Sequence, residues 1–472
     1  MLHVSEENRR WWTLAAMCFA LFMVMLDNTV VNVALPSIQR SFEASLSSLE
    51  WTINAYTLSF AVLLVTGGRL GDIFGRRLVF LIGVVVFAIA SALIGVSPSE
   101  GTLIAFRALQ GAGAALMMPA TLSIITNAFP PSERGKAIGT WAGVSAIALA
   151  LGPLVGGWLT EDVTWRAIFF INVPVAMIAI AVTLFATHES RDETATRQVD
   201  YPGIAALTIG LTSLVLALVE GNAWGWGSTQ IITLFALAIL GLAAFGVIER
   251  RSAAPIVNFD FFRSRSFLGA NIVAFAISFG MFAVFFFLAL YMQNILGYSP
   301  LETGVRFLPS TLVIMVAGPL AGRLSDKIGP RTPLVIGLLF VTVSLAWQSR
   351  IEVDTSYAFL VTPFILLGVG MGFTMSPMST AAMNAVDRTK AGVASGTLSM
   401  TRMVGGTFGV AALGALVNHT ETAQAFVDAL GTAMTIAAAA TLLAAVAAFF
   451  LVDPRKPEHE PPAPAAPEAA MV

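Results

Sequence analysis

The chain has 472 residues, 57% of them hydrophobic and only 11% charged, with a mean hydropathy of +0.81 and a net charge of −2. A soluble domain carries roughly 25% charged residues, so lipid rather than water is the main solvent of this chain. The near-neutral balance gives no basis for nucleic-acid binding. A lone cysteine (Cys18) and four scattered histidines exclude an intrachain disulfide and argue against a metal site.

A helix needs about 20 mostly apolar residues to cross a bilayer. By that rule fourteen crossing helices are predicted, near 12–35, 51–68, 78–97, 102–126, 137–159, 167–187, 201–219, 229–248, 267–292, 303–322, 333–350, 357–382, 398–418 and 430–452. The first follows Arg9 and Arg10 and is too long for a signal-peptide core, so it is read as a retained helix. Within it, Met25-Leu26-Asp27-Asn28-Thr29-Val30-Val31-Asn32 places a carboxylate deep in the bilayer. A charge at that depth is costly and usually faces a cavity or a partner.

Between the second and third spans lies a charged hairpin, Gly68-Arg69-Leu70-Gly71-Asp72-Ile73-Phe74-Gly75-Arg76-Arg77. Its glycines permit a tight turn. Asp72 is placed to cap a neighbouring helix N-terminus. Arg76 and Arg77 sit at the level of anionic headgroups, where one of them acts as a topological anchor.

The fourth span carries Arg107, the cation that matches Asp27. Counting about 1.5 Å per residue, the two lie roughly 8 and 12 Å below the same surface, so they are placed to share a cavity. The competing reading is a static ion pair that fixes helix packing. In the fifth span, Gly139, Gly143 and Ala148-Leu149-Ala150-Leu151-Gly152-Pro153-Leu154-Val155-Gly156-Gly157 let helices approach closely, and Pro153 bends the axis. Ordinary tight packing is the alternative there. Asn54, Gln110, Asn271 and Gln293 are polar positions within helices, read as interhelical hydrogen bonds or cavity-lining groups. Phe275, Phe279 and Phe282 are placed to line an apolar pocket, and Glu220, beside Trp224 and Trp226, marks an interface. The His188–Asp200 linker is short and of mixed charge, and the Pro-, Ala- and Glu-rich tail beyond Asp453 is expected to be disordered.

A degraded hairpin, Gly322-Arg323-Leu324-Ser325-Asp326-Lys327-Ile328-Gly329-Pro330-Arg331, recurs at an offset of 254 residues, from Asp72 to Asp326. Glu133-Arg134-Gly135-Lys136-Ala137 returns as Asp387-Arg388-Thr389-Lys390-Ala391 at the same offset. Two loops at one offset indicate a duplicated membrane domain. Spans 1–6 then match spans 9–14, with spans 7 and 8 inserted. The expected divisions are an N-terminus of 1–10, a bundle of 11–187, a linker with two helices over 188–266, a bundle of 267–452 and a tail of 453–472. The offset pairs Asp27 with Met281 and Arg107 with Val361, so the ionisable pair belongs to one half only. Of the 26 Lys and Arg residues, 21 are assigned to the terminal side, 4 to the opposite side and Arg107 to a helix. That bias predicts cytoplasmic termini.

These motifs resemble the major facilitator superfamily. The hairpin at 68–77 looks like its loop 2–3 signature, and Arg107-Ala108-Leu109-Gln110-Gly111-Ala112-Gly113 is similar to its helix 4 motif. Gly152, Pro153, Gly156 and Gly157 belong to a run resembling the antiporter motif of its exporters. The helix 1 run from Leu26 to Pro36, with fourteen spans, resembles the drug:proton antiporter subfamily of multidrug-resistance exporters. Two departures are Ile73, where many relatives carry a basic residue, and Ala148, where glycine is frequent.

The resemblance implies an all-α integral membrane fold of two pseudo-symmetric six-helix bundles plus two inserted central helices, working by alternating access. It implies that Asp27 and Arg107 carry proton coupling or cation binding, and that Gly68, Asp72, Gly75, Arg76 and Arg77 form a conformational latch. The cavity is expected to involve Asn28, Asn32, Asn54, Gln110, Asn271, Phe275, Phe279 and Gln293. The expected activity is proton-coupled export of hydrophobic, cationic drugs across the cell (cytoplasmic) membrane by a monomer. Its partners would be a small-molecule substrate, protons and membrane lipids, with the proton gradient as energy source and no cofactor or metal. The alternatives are export of one endogenous metabolite, antibiotic or lipid precursor, and a polytopic membrane enzyme. No nucleophile–base or metal constellation supports the enzyme.

Overall fold

The computed structural model describes residues 6–130, 133–191, 199–252, 255–386, 391–417 and 422–455. The loop at 387–390, most of the linker before Asp200, and the tail beyond 455 lie outside these residues.

The helices run as α1 (Glu6–Phe42), α2 (Leu46–Phe74), α3 (Arg76–Gly95), α4 (Glu100–Ala128), α5 (Arg134–Asp162), α6 (Ala167–Ala186) and α7 (Tyr201–Trp224). They continue as α8 (Thr229–Arg251), α9 (Arg265–Ile295), α10 (Pro300–Ile328), α11 (Arg331–Gln348), α12 (Tyr357–Asn384), α13 (Ala391–Val417) and α14 (Ala423–Leu451). Thirteen of them are single helices long and apolar enough to cross a bilayer, and α5 completes the predicted fourteen as a bent pair. Its 41° bend falls between Leu149 and Leu151. Pro153 cannot donate a backbone hydrogen bond, and its ring crowds the carbonyl of Leu149, so the axis breaks there.

Helix starts follow local capping chemistry. Ser45, Ser99 and Ser299 each accept a hydrogen bond from a backbone N–H three residues on. At α4 and α10 the partner side chain, Thr102 or Glu302, reaches back to complete a capping box.

The hairpin is tighter than the sequence reading made it. Residues 68–74 complete the last turns of α2, and Gly75 alone, at φ +120°, reverses the chain before α3 begins at Arg76. The second copy behaves alike: α10 runs to Ile328 and Gly329 turns at φ +85°. Positive φ is what these positions demand of glycine, and it survives in both halves although the charges between them diverged.

The bundles pack through small residues. A Cβ on Gly67 would run into the carbonyl of Ala115, and one on Gly113 into the backbone of Phe87, which brings α2, α3 and α4 into backbone contact. The buried core divides along the same lines. One cluster joins α1, α2, α3, α4 and α6, and a second fills α9, α11, α12, α13 and α14. A third crosses between the bundles on the side opposite the Gly75 and Gly329 turns.

Candidate functional site

Asp27 and Arg107 meet, as their depths predicted. Arg107 Nη1 donates to Asp27 Oδ2 at 2.6 Å, and both side chains are within 1% of complete burial. Asp27 Oδ1 accepts from Gln110 Nε2 at 2.9 Å and from Asn172 Nδ2 at 3.1 Å. Ser91 Oγ accepts from the same two amides at 2.8 and 3.3 Å. Arg107 also donates from Nε to the carbonyl of Thr52 at 3.0 Å and from Nη1 to Gln110 Oε1, and its guanidinium lies 4.3 Å from the Tyr56 ring centroid. Five helices (α1, α2, α3, α4 and α6) therefore converge on one charge pair. Every hydrogen bond here is charge-assisted or closes the network, which is the condition for holding ions out of water.

Ser91 and Asn172 were missed by sequence reasoning. Asn172 carried a readable signal, a polar amide in an apolar span, the same signal that singled out Asn54 and Gln110. Ser91 carried none, because a serine in a membrane helix ordinarily bonds its own backbone.

The pair does not face the main cavity. A cavity of about 1070 Å³ lies between the bundles and is lined by Asn28 and Asn32 but not by Asp27 or Arg107. The sequence reading placed both charges in a shared cavity; the structure gives them a sealed compartment within one bundle, one residue away from the lining. Helix geometry is the reason. Asn28 is rotated about 100° from Asp27, enough to change from the bundle interior to its inner wall. Met281, which the repeat pairs with Asp27, lines the opposite wall beside Phe282, Met371 and Met375. Methionines of this kind adapt their shape to varied apolar ligands.

Other expected positions divide. Gly68, Asp72, Arg76 and Pro153 line the cavity with Asn28 and Asn32. Asn54, Gln110, Asn271, Phe275, Phe279 and Gln293 are not part of that lining. Asn271 donates to Phe267 O and accepts from Thr401, and Gln293 donates to Val33 O at 2.7 Å. Phe275 and Phe279 stack on each other and on Phe408, with centroids 5.9–6.3 Å apart, so they cement α9 to α13 rather than wet the cavity. Asn54 is fully buried, and neither of its amide atoms has a hydrogen-bond partner among the described residues.

The 21 charges assigned to the terminal side include Arg402, although it falls within the predicted span 398–418. It lies well inside α13, lines the cavity, and has a buried Nε without a hydrogen-bond partner among the described residues. Removing it lowers the terminal-side count to 20, still far above 4.

The cavity runs to the side of the Gly75 and Gly329 turns, where Asp72, Arg76, Ser123 and Asn258 line it. There Asp72 Oδ1 accepts from Arg76 Nε and Nη2 at 3.0 and 2.8 Å. The expected helix cap is supplied by another residue. Glu189 accepts from the backbone N–H of Arg77 and Leu78, both at 3.0 Å, and so satisfies the N-terminus of α3. Arg77 itself donates to Leu184 O.

On the opposite side the bundles are shut against each other. A Cβ on Gly157 would stand 2.5 Å from Pro300 O, and one on Gly304 would strike the carbonyl of Pro153. Gly152 and Gly156 meet Thr29 and Val30 of α1 in the same close manner. Gly152, Gly156 and Gly157 thus do what the packing reading held, between bundles as well as within one, whereas a Cβ on Gly139 or Gly143 would meet nothing within 4 Å and those two glycines serve no such contact.

Comparison with known proteins decides the family. The model for the Major Facilitator Superfamily matches residues 17–410. The chain belongs to the major facilitator superfamily. Among curated members, this major facilitator is 40% identical over 469 residues to a puromycin resistance protein of Streptomyces alboniger, covering 96% of this chain and 93% of that one. It is 38% identical over 411 residues to the tetracenomycin C resistance and export protein of Streptomyces glaucescens, covering 87% and 76%. The multidrug resistance protein Stp of Mycobacterium tuberculosis is 36% identical over 86% of this chain and 75% of its own. Among solved structures, a bacterial homologue of the human lysosomal transporter Spinster superposes with a TM-score of 0.65 at 18% identity, covering 93% of this chain and 96% of that one. The facilitator fold, its transporter class and its kinship with antibiotic-resistance exporters follow from these matches.

Proposed function

We propose that this major facilitator is a proton-coupled antiporter that exports hydrophobic antibiotic-like compounds by alternating access. The Lys and Arg bias supports the side of the Gly75 turn as cytoplasmic, with both termini there and the protein a multi-pass monomer of the cell membrane. On that reading, the cavity in this structure faces the cytoplasm and its outer end is closed.

The observation that carries the reading is the sealed Asp27–Arg107 pair one residue from the cavity wall. A buried carboxylate is stable as an ion only while its guanidinium and amide partners hold it; once they withdraw, it is stable only with a proton. Movement of α4 against α1 during the cycle would separate Arg107 from Asp27 and open the carboxylate to a proton from outside. Reforming the pair in the inward-open state discharges that proton to the cytoplasm. Export of cargo and entry of protons are then linked by one carboxylate.

The sequence reading favoured cationic cargo held by Asp27. In this conformation Asp27 is out of reach and the cavity presents Arg402, so the geometry supports apolar contact as the main recognition, with charge secondary. The test uses proteoliposomes with an imposed pH gradient and a panel containing puromycin, tetracenomycin C and lipophilic cations. Gradient-driven export is expected, lost in Asp27→Asn. Gradient-independent export, or full coupling in Asp27→Asn, overturns the proposal. Activity on a single panel member would favour a dedicated exporter over a broad one.

A further inference from the structure

Glu50 is a carboxylate for which the coupling mechanism has no use. It sits four residues into α2, about 6 Å below the outer end, and is completely buried. Neither of its oxygens has a hydrogen-bond partner among the described residues. A Cβ on Gly414 of α13 would collide with this carboxyl, so Glu50 is pressed into the backbone of the opposite bundle. A second acid at this level is Glu220 of the inserted helix α7, whose Oε1 accepts from Ser47 Oγ at 3.2 Å and from Trp51 Nε1, the neighbour of Glu50, at 3.3 Å. Asn222, one half-turn on, donates to the carbonyl of Ala415 and ties α7 to α13 at the same level.

Among the described residues no cation compensates Glu50. The outer half of α13 carries no charged side chain among the described residues, and the outer half of α3 carries none. From α4, Arg107 is committed to Asp27, Gln110 and Thr52, and Glu100 is a further acid at the outer end. From α1, Arg40 is exposed and bonded to Ser37, and Glu43 is exposed. An ionised carboxylate so placed would lose its hydration without any return, and beside Glu220 it would also meet a like charge. The shut seam therefore requires the neutral acid.

We propose that Glu50 is a second proton-binding site, one that gates the outer seam between α2 and α13: protonated, it lets the seam close, and it ionises when the seam opens to the outer medium. The proposal rests on the inward-open reading above. Glu50 is absent from the cavity lining, so its proton enters and leaves by the outer face and is not carried across. Outside acidity thus sets how readily the empty carrier returns to the inward-open state that collects cargo. The inserted helix α7 then has a role, supplying Glu220 as the like charge that sharpens the dependence on protonation.

The experiment uses the full chain in lipid nanodiscs, with Cys18→Ser and nitroxide labels at Arg40→Cys and Gln424→Cys, exposed outer positions on the two bundles. Electron–electron distances are read from pH 5 to 8 without ligand. The short-distance population is expected to grow with acidity, with the closed-to-open ratio changing up to tenfold per pH unit, as one proton allows. Glu50→Gln should hold the short distance across the whole range. Gly414→Ala, which crowds the carboxyl, should need more acid to close and keeps the test informative if Glu50→Gln misfolds. A pH response unchanged in Glu50→Gln, or abolished by Asp27→Asn alone, overturns the proposal. The antiport reading fails separately: absence of gradient-driven export with Glu50-dependent closure intact would sink that reading only.

Discussion

The Asp27–Arg107 compartment makes an asymmetric prediction. In Asp27→Asn the amide keeps an oxygen for Gln110 and Asn172, but its NH2 now faces the Arg107 donor that stood 2.6 Å from Oδ2. A guanidinium cannot shed its proton, so it stays charged and partly unpaired, with the Thr52 carbonyl, Gln110 Oε1 and the Tyr56 and Phe169 rings left to hold it. Breaking a buried pair from one side costs about 3–5 kcal/mol, and Asp27→Asn should fall in that range. Arg107→Met removes the other charge, but Asp27 can neutralise itself by taking a proton. Its cost should be smaller than that of Asp27→Asn at pH 5 and should grow as the pH rises to 8, because ionised Asp27 then lacks its partner. The double variant Asp27→Asn/Arg107→Met leaves no charge at all and should recover most of the loss. The assay is unfolding of nanodisc-embedded protein followed by tryptophan fluorescence at pH 5, 6.5 and 8. Equal costs for the two single variants, or no pH dependence in Arg107→Met, would refute the claim that Asp27 exchanges its partner for a proton.

Three further outcomes follow from the same geometry. Asp72→Asn removes the negative charge that Arg76 binds at the mouth beside the Gly75 turn, away from the deep cavity wall, and should slow transport while leaving equilibrium affinity within a few-fold; a large affinity loss with normal turnover would place Asp72 in the cargo site. Gly304→Ala introduces a methyl where the carbonyl of Pro153 already touches, so the seal on the side opposite the Gly75 turn should loosen and labels at positions 40 and 424 should spread at every pH; unchanged distances would show that the α5–α10 contact does not close the carrier. Gly75→Ala meets both a φ of +120° and the Glu189 carboxyl 2.6 Å from the new Cβ, and a cost of about 1–3 kcal/mol is expected, measured as loss of folded protein on heating.

Much of this molecule was determined by its sequence alone. Fourteen spans followed from hydrophobic length, because backbone polar groups in lipid must be satisfied within a helix and leave few choices. The duplication followed from one offset, and the glycine turns at positions 75 and 329 bear it out at the level of the backbone. The partnership of Asp27 and Arg107 was legible because two charges at matching depth in a membrane have few other ways to be satisfied.

What the sequence did not contain was which way each side chain turns. Asp27 and Asn28 are neighbours in the chain, yet one is sealed inside a bundle and the other lines the cavity, a matter of 100° about one helix axis. Arg402 stood among the terminal-side charges until the packing of α13 turned it into the cavity. Glu50 lies one residue before the predicted span 51–68 and carried no signal of its own. Only the docking of α13 and α7 against α2 made it a buried carboxyl without a hydrogen-bond partner among the described residues, because its environment comes from residues more than 160 positions away. Depth is written in one dimension and can be counted along the chain; burial and facing depend on the contact between helices, and tertiary packing alone decides them.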